Sequence, residues 1–371
     1  VTTRAKRILF VTESREVWGA EESLLLILAE VKASGAEAVV ALSPGSPLAG
    51  RLAEIGVTSI EHRFAQHRAL ERTGSLSTAA KSDLLRDGFS TLLGAFRATA
   101  LVRRFDVVVP FSLWQTPEFV LACRLARRAC VVDVHETFHG SLGKKMVRVL
   151  AKLSSGVISP SQHLAEEYGI TNALVIPRPV ITSTDFEKSS KSARTLTLGI
   201  FGQISPHKRV LELVEAIEAT GKELRLLVVG GRDTASQLEY ERRVRAHVDR
   251  LPETSKVIDR QRDISRLMNE CDFVANVSEH EAFGRTVVEA AAHGAVPLVL
   301  EGTGPAEIVR ITGVGHIFDS IDRLAQYAVT NEPDRPSPAT IEEVRSNFSP
   351  QAISRRYFDA LIATSEKRHD A

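Results

Sequence analysis

The chain has 371 residues, with 43% hydrophobic and 25% charged residues, a composition that excludes a disordered or fibrous polymer and indicates a soluble globular protein. Its 47 basic and 46 acidic residues leave a formal charge of +1, which argues against a general nucleic-acid binder. The three cysteines, Cys123, Cys130 and Cys271, have no metal-ligand spacing. They read as free thiols of a reducing compartment, so the expectation is a cytoplasmic protein with no secretory signal.

The length suits two domains, each able to bury its own core. Short apolar runs at Ile8–Thr12, Ala38–Leu42, Val57–Ile60, Val107–Phe111, Cys130–Val134, Val157–Ser159 and Leu174–Ile176 predict buried strands. Helical patterns such as Ala20–Ala33 lie between them, which predicts crossover connections and a parallel sheet. The alternation pauses at Pro177-Arg178-Pro179 and through the polar stretch Ser183–Arg194. It resumes with strands at Leu196–Phe201, Leu224–Val229, Lys256–Ile258, Phe273–Asn276 and Pro297–Leu300. The expected architecture is α/β, with two Rossmann-like doubly wound domains facing each other across a cleft. The expected division is an acceptor-side domain over 1–180, a linker over 181–195 and a donor domain over 196–345. A C-terminal helix over 346–371 would return to the N-terminal domain.

The richest segment is NVSEHEAFGRTVVEAAAHGAVPLVL, Asn276–Leu300. A strand ends near Asn276, a helix begins around Phe283-Gly284 and runs through Glu289 to Gly294, and Pro297 opens the next strand. The helix N-terminus offers free N–H groups and partial positive charge to a diphosphate. Gly284 allows the backbone to approach it closely. Glu281 and Glu289 lie roughly 10 Å apart at ~1.5 Å of helical rise per residue. At that spacing they grip opposite ends of one ligand and do not act on one atom as a pair. Each carboxylate accepts two hydrogen bonds, matching vicinal hydroxyls. The plainer alternative makes Glu281 a helix cap and Glu289 a solvated surface residue.

The positions of Glu281, Phe283, Gly284, Glu289, Ala290, Gly294 and Pro297 resemble the donor-site motif of glycosyltransferase family 4, retaining enzymes of the GT-B fold. The resemblance implies that Glu281 and the amides near Phe283 and Gly284 hold the donor sugar and phosphates, and that Glu289 takes the ribose diol. In FGQISPHKRVLELVEAI, Phe201–Ile217, a strand reaches Gly202 and a helix starts near Lys208. The family places an Arg and a Lys-Gly pair on the diphosphate here. Lys208 matches, Gln203 stands at the Arg position, and Arg209 replaces the Gly. In the first half, Gly19 and Glu21 match a Gly-Gly-x-Glu turn in which Trp18 replaces the first Gly. Trp18 stacks on an acceptor or base, or packs under the loop. His135 in VVDVHETFHG matches a His facing the donor sugar's reacting end, with a structural hydrogen bond as its alternative role. His139 has no counterpart. Where the family has an Asn-Gly turn, this chain has Ile176-Pro177-Arg178-Pro179. Arg260–Asp263 falls where the family reads the base.

The resemblance thus implies a retaining, metal-independent glycosyltransferase with His135, Lys208 and Glu281 as catalytic residues. Gly19, Gly202, Gln203, Lys208, Arg209, Arg260, Phe283, Gly284 and Glu289 would bind donor. The nucleotide-diphosphate sugar is a co-substrate, and neither metal nor cofactor is expected. The acceptor, whether glycan, lipid or small molecule, stays open, and Arg63–Leu92 is expected to shape its side. Domain closure would align the substrates and exclude water. The alternatives are a nucleotide-sugar epimerase or phosphorylase on the same fold, and a non-catalytic binding module. Lys144–Leu153 reads as a basic amphipathic helix, suited to peripheral contact with an anionic bilayer or to packing with a solvated basic face.

Overall fold

The computed structural model describes residues 5–13, 17–65, 81–137, 140–181, 195–232 and 237–367. Two compact units divide the chain. The first is Val1–Pro179 with Pro350–Ala371, and the second is Val180–Ser349. The polar stretch 182–194, the middle of Arg63–Leu92 (66–80) and His139 lie outside the described residues.

In the first unit, β1 (Arg7–Val11), β2 (Glu37–Leu42), β3 (Thr58–Glu61), β4 (Val107–Pro110), β5 (Ala129–Asp133), β6 (Gly156–Ser159) and β7 (Leu174–Val175) form one sheet. Its order is β3-β2-β1-β4-β5-β6-β7, and every pairing is parallel. The strands read as near-continuous apolar runs because helices cover both faces. Ile8 and Phe10 pack with Leu24 and Leu28 of helix Gly19–Ala33 and with Ile353, Tyr357 and Leu361 of helix Pro350–Lys367. The last three recur every fourth residue and so line one helix face.

In the second unit, β8 (Thr197–Gln203), β9 (Arg225–Gly231), β10 (Lys256–Ile258), β11 (Phe273–Asn276), β12 (Val296–Leu300) and β13 (His316–Phe318) take the order β10-β9-β8-β11-β12-β13. These pairings are parallel as well. Leu198, Ile200, Val210, Leu213 and Phe273 centre its core. Helix Pro338–Asn347 belongs to this unit, so its boundary falls at Ser349, a few residues beyond the expected 345.

Each sheet starts in the middle and grows outward in both directions. Order reverses between β1 and β4 in one unit and between β8 and β11 in the other. In open α/β sheets, ligands bind at the carboxyl ends of the strands beside such a reversal. Among the described residues, no helix is long and apolar enough to cross a membrane.

Candidate active site

In the second unit the loops leaving β8 and β11 meet at the reversal point. After Gln203 the chain makes a single short turn, Pro206–Lys208, and then enters helix Val210–Ala219 through Arg209. Arg209 sits at φ 53° and ψ 33°, the left-handed region that costs an L-residue ~1–2 kcal/mol. The glycine expected after Lys208 would have relieved that strain. This turn delivers the Lys208 ammonium to Glu281, on the loop that follows β11, as an ion pair. The two loops are also joined through the backbone, where the Glu279 amide donates to the His207 carbonyl at 3.0 Å.

Glu281 is part-buried and also accepts from Ser278 Oγ at 3.2 Å. Burial pushes its carboxyl up, but the Lys208 charge and the hydrogen bonds from Lys208 and Ser278, with His207 nearby, hold it below the usual carboxylate range. It stays ionised and caps no helix. Lys208 keeps two further N–H donors after this contact, since an ammonium has three.

Helix Arg285–Ala292 begins after Gly284, which is at φ 88°. A Cβ there would lie 2.7 Å from Pro305 Cγ, and one on Gly304 would lie 2.3 Å from the Ala282 carbonyl oxygen. The Gly304 amide donates to the Glu281 carbonyl at 2.9 Å. Two glycines therefore clamp the 281–284 loop against the start of the next helix, Gly304–Thr312. Phe283 is buried against Phe348, with ring centroids 6.2 Å apart, so its side chain is structural. Glu289 is not a solvated surface residue. Its side chain is 12% exposed and pairs with Arg285 at 3.3 Å.

At the carboxyl end of β8, Gly202 is at φ 134°, and a Cβ on Gly230 would overlap the Gly202 carbonyl. Gln203 pairs in register with Gly231 and accepts from Ser205 Oγ at 3.4 Å. Arg260 is exposed, and its Cβ lies 4.0 Å from the position of a Cβ on Gly231. Gly202, Gln203, Lys208, Arg209, Arg260, Glu281 and Gly284 thus occupy the carboxyl end of the second sheet.

In the first unit, Gln115 of the loop after β4 donates through Nε2 to Glu13 of the loop after β1, at 2.6 Å. Trp18 and Gly19 open helix Gly19–Ala33, and Glu21 folds back to accept the Trp18 amide at 2.9 Å. Glu21 therefore serves the helix start.

His135 lies two residues beyond β5 and bonds through Nδ1 to Asp133 at 2.8 Å. Asp133 is fully buried. It accepts from Arg178 Nη1 at 2.9 Å, from Arg178 Nη2, and from the Tyr357 hydroxyl at 2.6 Å. Burial pushes the Asp133 carboxyl up, and the charges and hydrogen bonds of Arg178 and His135 more than reverse this, holding it well below the usual range. An ionised carboxylate can only accept, so Nδ1 of His135 carries the hydrogen. Glu136 follows, part-buried, accepting the Leu113 amide at 2.9 Å and Ser112 Oγ at 3.4 Å. Its carboxyl is raised by burial.

Arg178, Asp133 and Tyr357 were not singled out as site residues from sequence, nor were Ser278 and Gly304. The available signals were an Asp at the end of a buried strand, an Arg between two prolines, and a Gly between a Thr and a Pro. Among the described residues, no group of three His, Cys, Asp or Glu is placed to hold a metal ion.

Residues 181–328 match the glycosyl transferases group 1 family. They contain Lys208, Glu281 and Glu289, so the resemblance drawn from these motifs agrees with the match at the level of the group. A GDP-mannose:cellobiosyl-diphosphopolyprenol alpha-mannosyltransferase of Komagataeibacter xylinus is 29% identical over 153 residues, 40% of this chain and 38% of that protein. The matched region therefore spans well under half of that relative. A glycosyltransferase from Rickettsia africae superposes with a TM-score of 0.74 at 19% identity, covering 98% of this chain and 99% of its own. Anabaena HepE in complex with UDP and glucose gives 0.69 at 18% identity, with 98% of each chain covered. The two parallel sheets flanked by helices are the GT-B architecture of these neighbours.

Proposed function

We propose that the chain is a retaining, metal-independent glycosyltransferase that uses a nucleotide-diphosphate sugar. The observation that carries this is the meeting of Lys208 and Glu281 at the strand-order reversal of the second sheet, inside the residues matched to group 1. In this reading the diphosphate lies against Lys208, Arg209 and the first amides of helix Arg285–Ala292. The Glu281 carboxylate takes sugar hydroxyls, and Glu289 takes the ribose diol. Gly202, Gln203 and Arg260 border the nucleotide. HepE forms complexes with UDP, with UDP-glucose and with UDP and glucose, which supports a nucleotide sugar as the ligand to try.

The bond from the anomeric carbon to the diphosphate oxygen breaks, and the acceptor oxygen bonds that carbon on the same face. The acceptor's proton passes to the leaving phosphate oxygen. Lys208 and the helix start stabilise the charge that develops there, usually the largest catalytic contribution. Asp133 holds His135 through Nδ1, which leaves Nε2 to meet a sugar hydroxyl at the reacting end, and Gly19 lets the backbone approach the same sugar. The group 1 match supports transfer over the epimerase, phosphorylase and binding-module readings. The K. xylinus relative's acceptor, a cellobiosyl-diphosphopolyprenol, makes a lipid-linked saccharide the first acceptor class to test.

Thermal-shift screening with UDP, GDP, ADP and dTDP conjugates should give a stabilising ligand by mass action. Glu289→Ala should weaken that ligand about tenfold or more, as expected when a charged hydrogen-bond partner is lost. Unchanged affinity and transfer would remove the ribose assignment. Full turnover in EDTA is expected, and loss that manganese restores would overturn the metal-independent reading.

A further inference from the structure

The first unit carries an apolar groove that the transfer chemistry alone does not use. Helix Lys81–Val102 shows Leu85, Phe89, Leu92 and Phe96 at 76%, 70%, 62% and 74% exposure. Their spacing of four, three and four residues puts them on one face. Beneath this stripe is a cavity of about 720 Å³ shared with helices Thr116–Ala126 and Ser141–Leu153. That volume lies within the ~300–1,000 Å³ of small-molecule sites. Phe89, Leu92, Trp114 and Met146 are among its walls, and Asp87 and Thr91 are its polar members. A soluble chain rarely leaves so much contiguous apolar surface open without a ligand or partner for it.

Two features identify the occupant. First, the groove shares a loop with the candidate site. Its inner wall, Leu113-Trp114, sits on the loop after β4, and the Leu113 amide is held by Glu136, the neighbour of His135. Second, one of the helices that line the groove carries exposed lysines outside its lining. Helix Ser141–Leu153 gives Leu142 and Met146 to the cavity and also bears the exposed Lys145 and Lys152. The same helix packs Val147 and Leu150 inward and ties Lys144 to Glu167 at 3.0 Å. A hydrocarbon chain that begins at an anionic head matches this order of charge and apolar surface.

We infer that the groove holds the chain of an isoprenoid-diphosphate-linked acceptor, with Lys145 beside the diphosphate and the saccharide end directed to His135. This rests on the transferase reading for its purpose, but its binding test does not depend on turnover. The probes are geranyl, farnesyl and geranylgeranyl diphosphate below their micellar concentrations, with inorganic pyrophosphate as control. The chain has two tryptophans, so Trp18→Phe leaves Trp114 in the cavity wall as the reporter.

The expected result is saturable change in Trp114 emission, with affinity rising about tenfold or more per isoprene unit as methylenes are buried. Leu92→Glu should weaken farnesyl diphosphate at least ~10-fold while donor-only hydrolysis and the melting transition stay as in wild type. Equal affinity for all three chain lengths, or a Leu92→Glu variant that melts normally and binds as before, would overturn the inference. So would co-sedimentation of wild type with phosphatidylglycerol vesicles that Leu92→Glu abolishes, in the absence of isoprenoid binding, which would make the stripe a bilayer contact. If isoprenoid binding follows the expected pattern but no nucleotide sugar is hydrolysed or transferred, the groove stands and the transferase reading falls.

Discussion

The buried cluster around Asp133 allows a quantitative prediction. Tyr357→Phe removes one hydroxyl donor from a charged acceptor, at 2.6 Å in the native chain, and leaves the ring volume unchanged. Loss of a hydrogen bond to a charged group costs ~1.5–3 kcal/mol. Arg178→Met removes both guanidinium contacts and strands a carboxylate that is fully buried. Breaking a buried ion pair from one side costs ~3–5 kcal/mol, so Arg178→Met should be the more damaging change. The double variant should cost less than the sum, because both side chains serve one carboxylate.

The pH sign follows from the depressed Asp133 carboxyl. A group lowered on folding contributes stability that is complete above its unfolded value, ~3.9, and is lost as pH falls toward the folded one. The Tyr357→Phe penalty should therefore be flat from pH 8 to about 5. Without Arg178, burial dominates and raises the carboxyl, so the Arg178→Met penalty should shrink on acidification as Asp133 takes up a proton. Equilibrium urea unfolding by far-UV circular dichroism, fitted with an intermediate as two units require, measures both. If Arg178→Met unfolds within ~1 kcal/mol of wild type at pH 7.5, the cluster does not hold the first unit together. In that event the argument that it holds the His135 ring in place fails too.

Lys208→Ala should lower turnover by about 100-fold or more, the cost of deleting one donor at a developing oxyanion. A single-turnover assay at saturating donor checks it, and a drop under threefold would detach Lys208 from the leaving group. Glu136→Gln should match or exceed wild-type stability at pH 7.5, because burial raises the native carboxyl and its ionised form therefore opposes folding. The gain should disappear as pH falls through the raised folded value, where native Glu136 takes up a proton. Unfolding free energies at pH 7.5 and 5 test the sign, and a variant less stable at both would refute it. Asp133→Asn should reduce kcat with little change in nucleotide affinity, since the residues assigned to the nucleotide lie in the second unit. A parallel loss in both would show that Asp133 acts on the fold at large.

Most strands of both sheets were legible because parallel strands covered on both faces are near-continuous apolar runs, as in the four residues Ile8–Val11 of β1. β13 was not. It has three half-buried residues, His316–Phe318, at a sheet edge, and an edge needs no long apolar run. The helix expected near Lys208 starts only at Val210, because the left-handed Arg209 interrupts it. No local pattern announces an arginine in that conformation.

The same contrast separates the two halves of the candidate site. Glu281, Gly284 and Glu289 lie on nine consecutive positions, so one stretch of chain carries the motif and a reader of sequence meets it whole. Lys208 is 73 positions from Glu281, yet strand order alone brings their loops together, since β8 and β11 are neighbours in the sheet. Asp133, Arg178 and Tyr357 are harder, because they are 45 and 224 positions apart. Their meeting depends on the final helix packing against the first sheet. In sequence Arg178 is a residue between two prolines, and Tyr357 is one position of the C-terminal helix. Only the fold shows that the arginine is desolvated and that the tyrosine's hydroxyl points at a carboxylate. Partner identity, not residue type, makes them a support for His135.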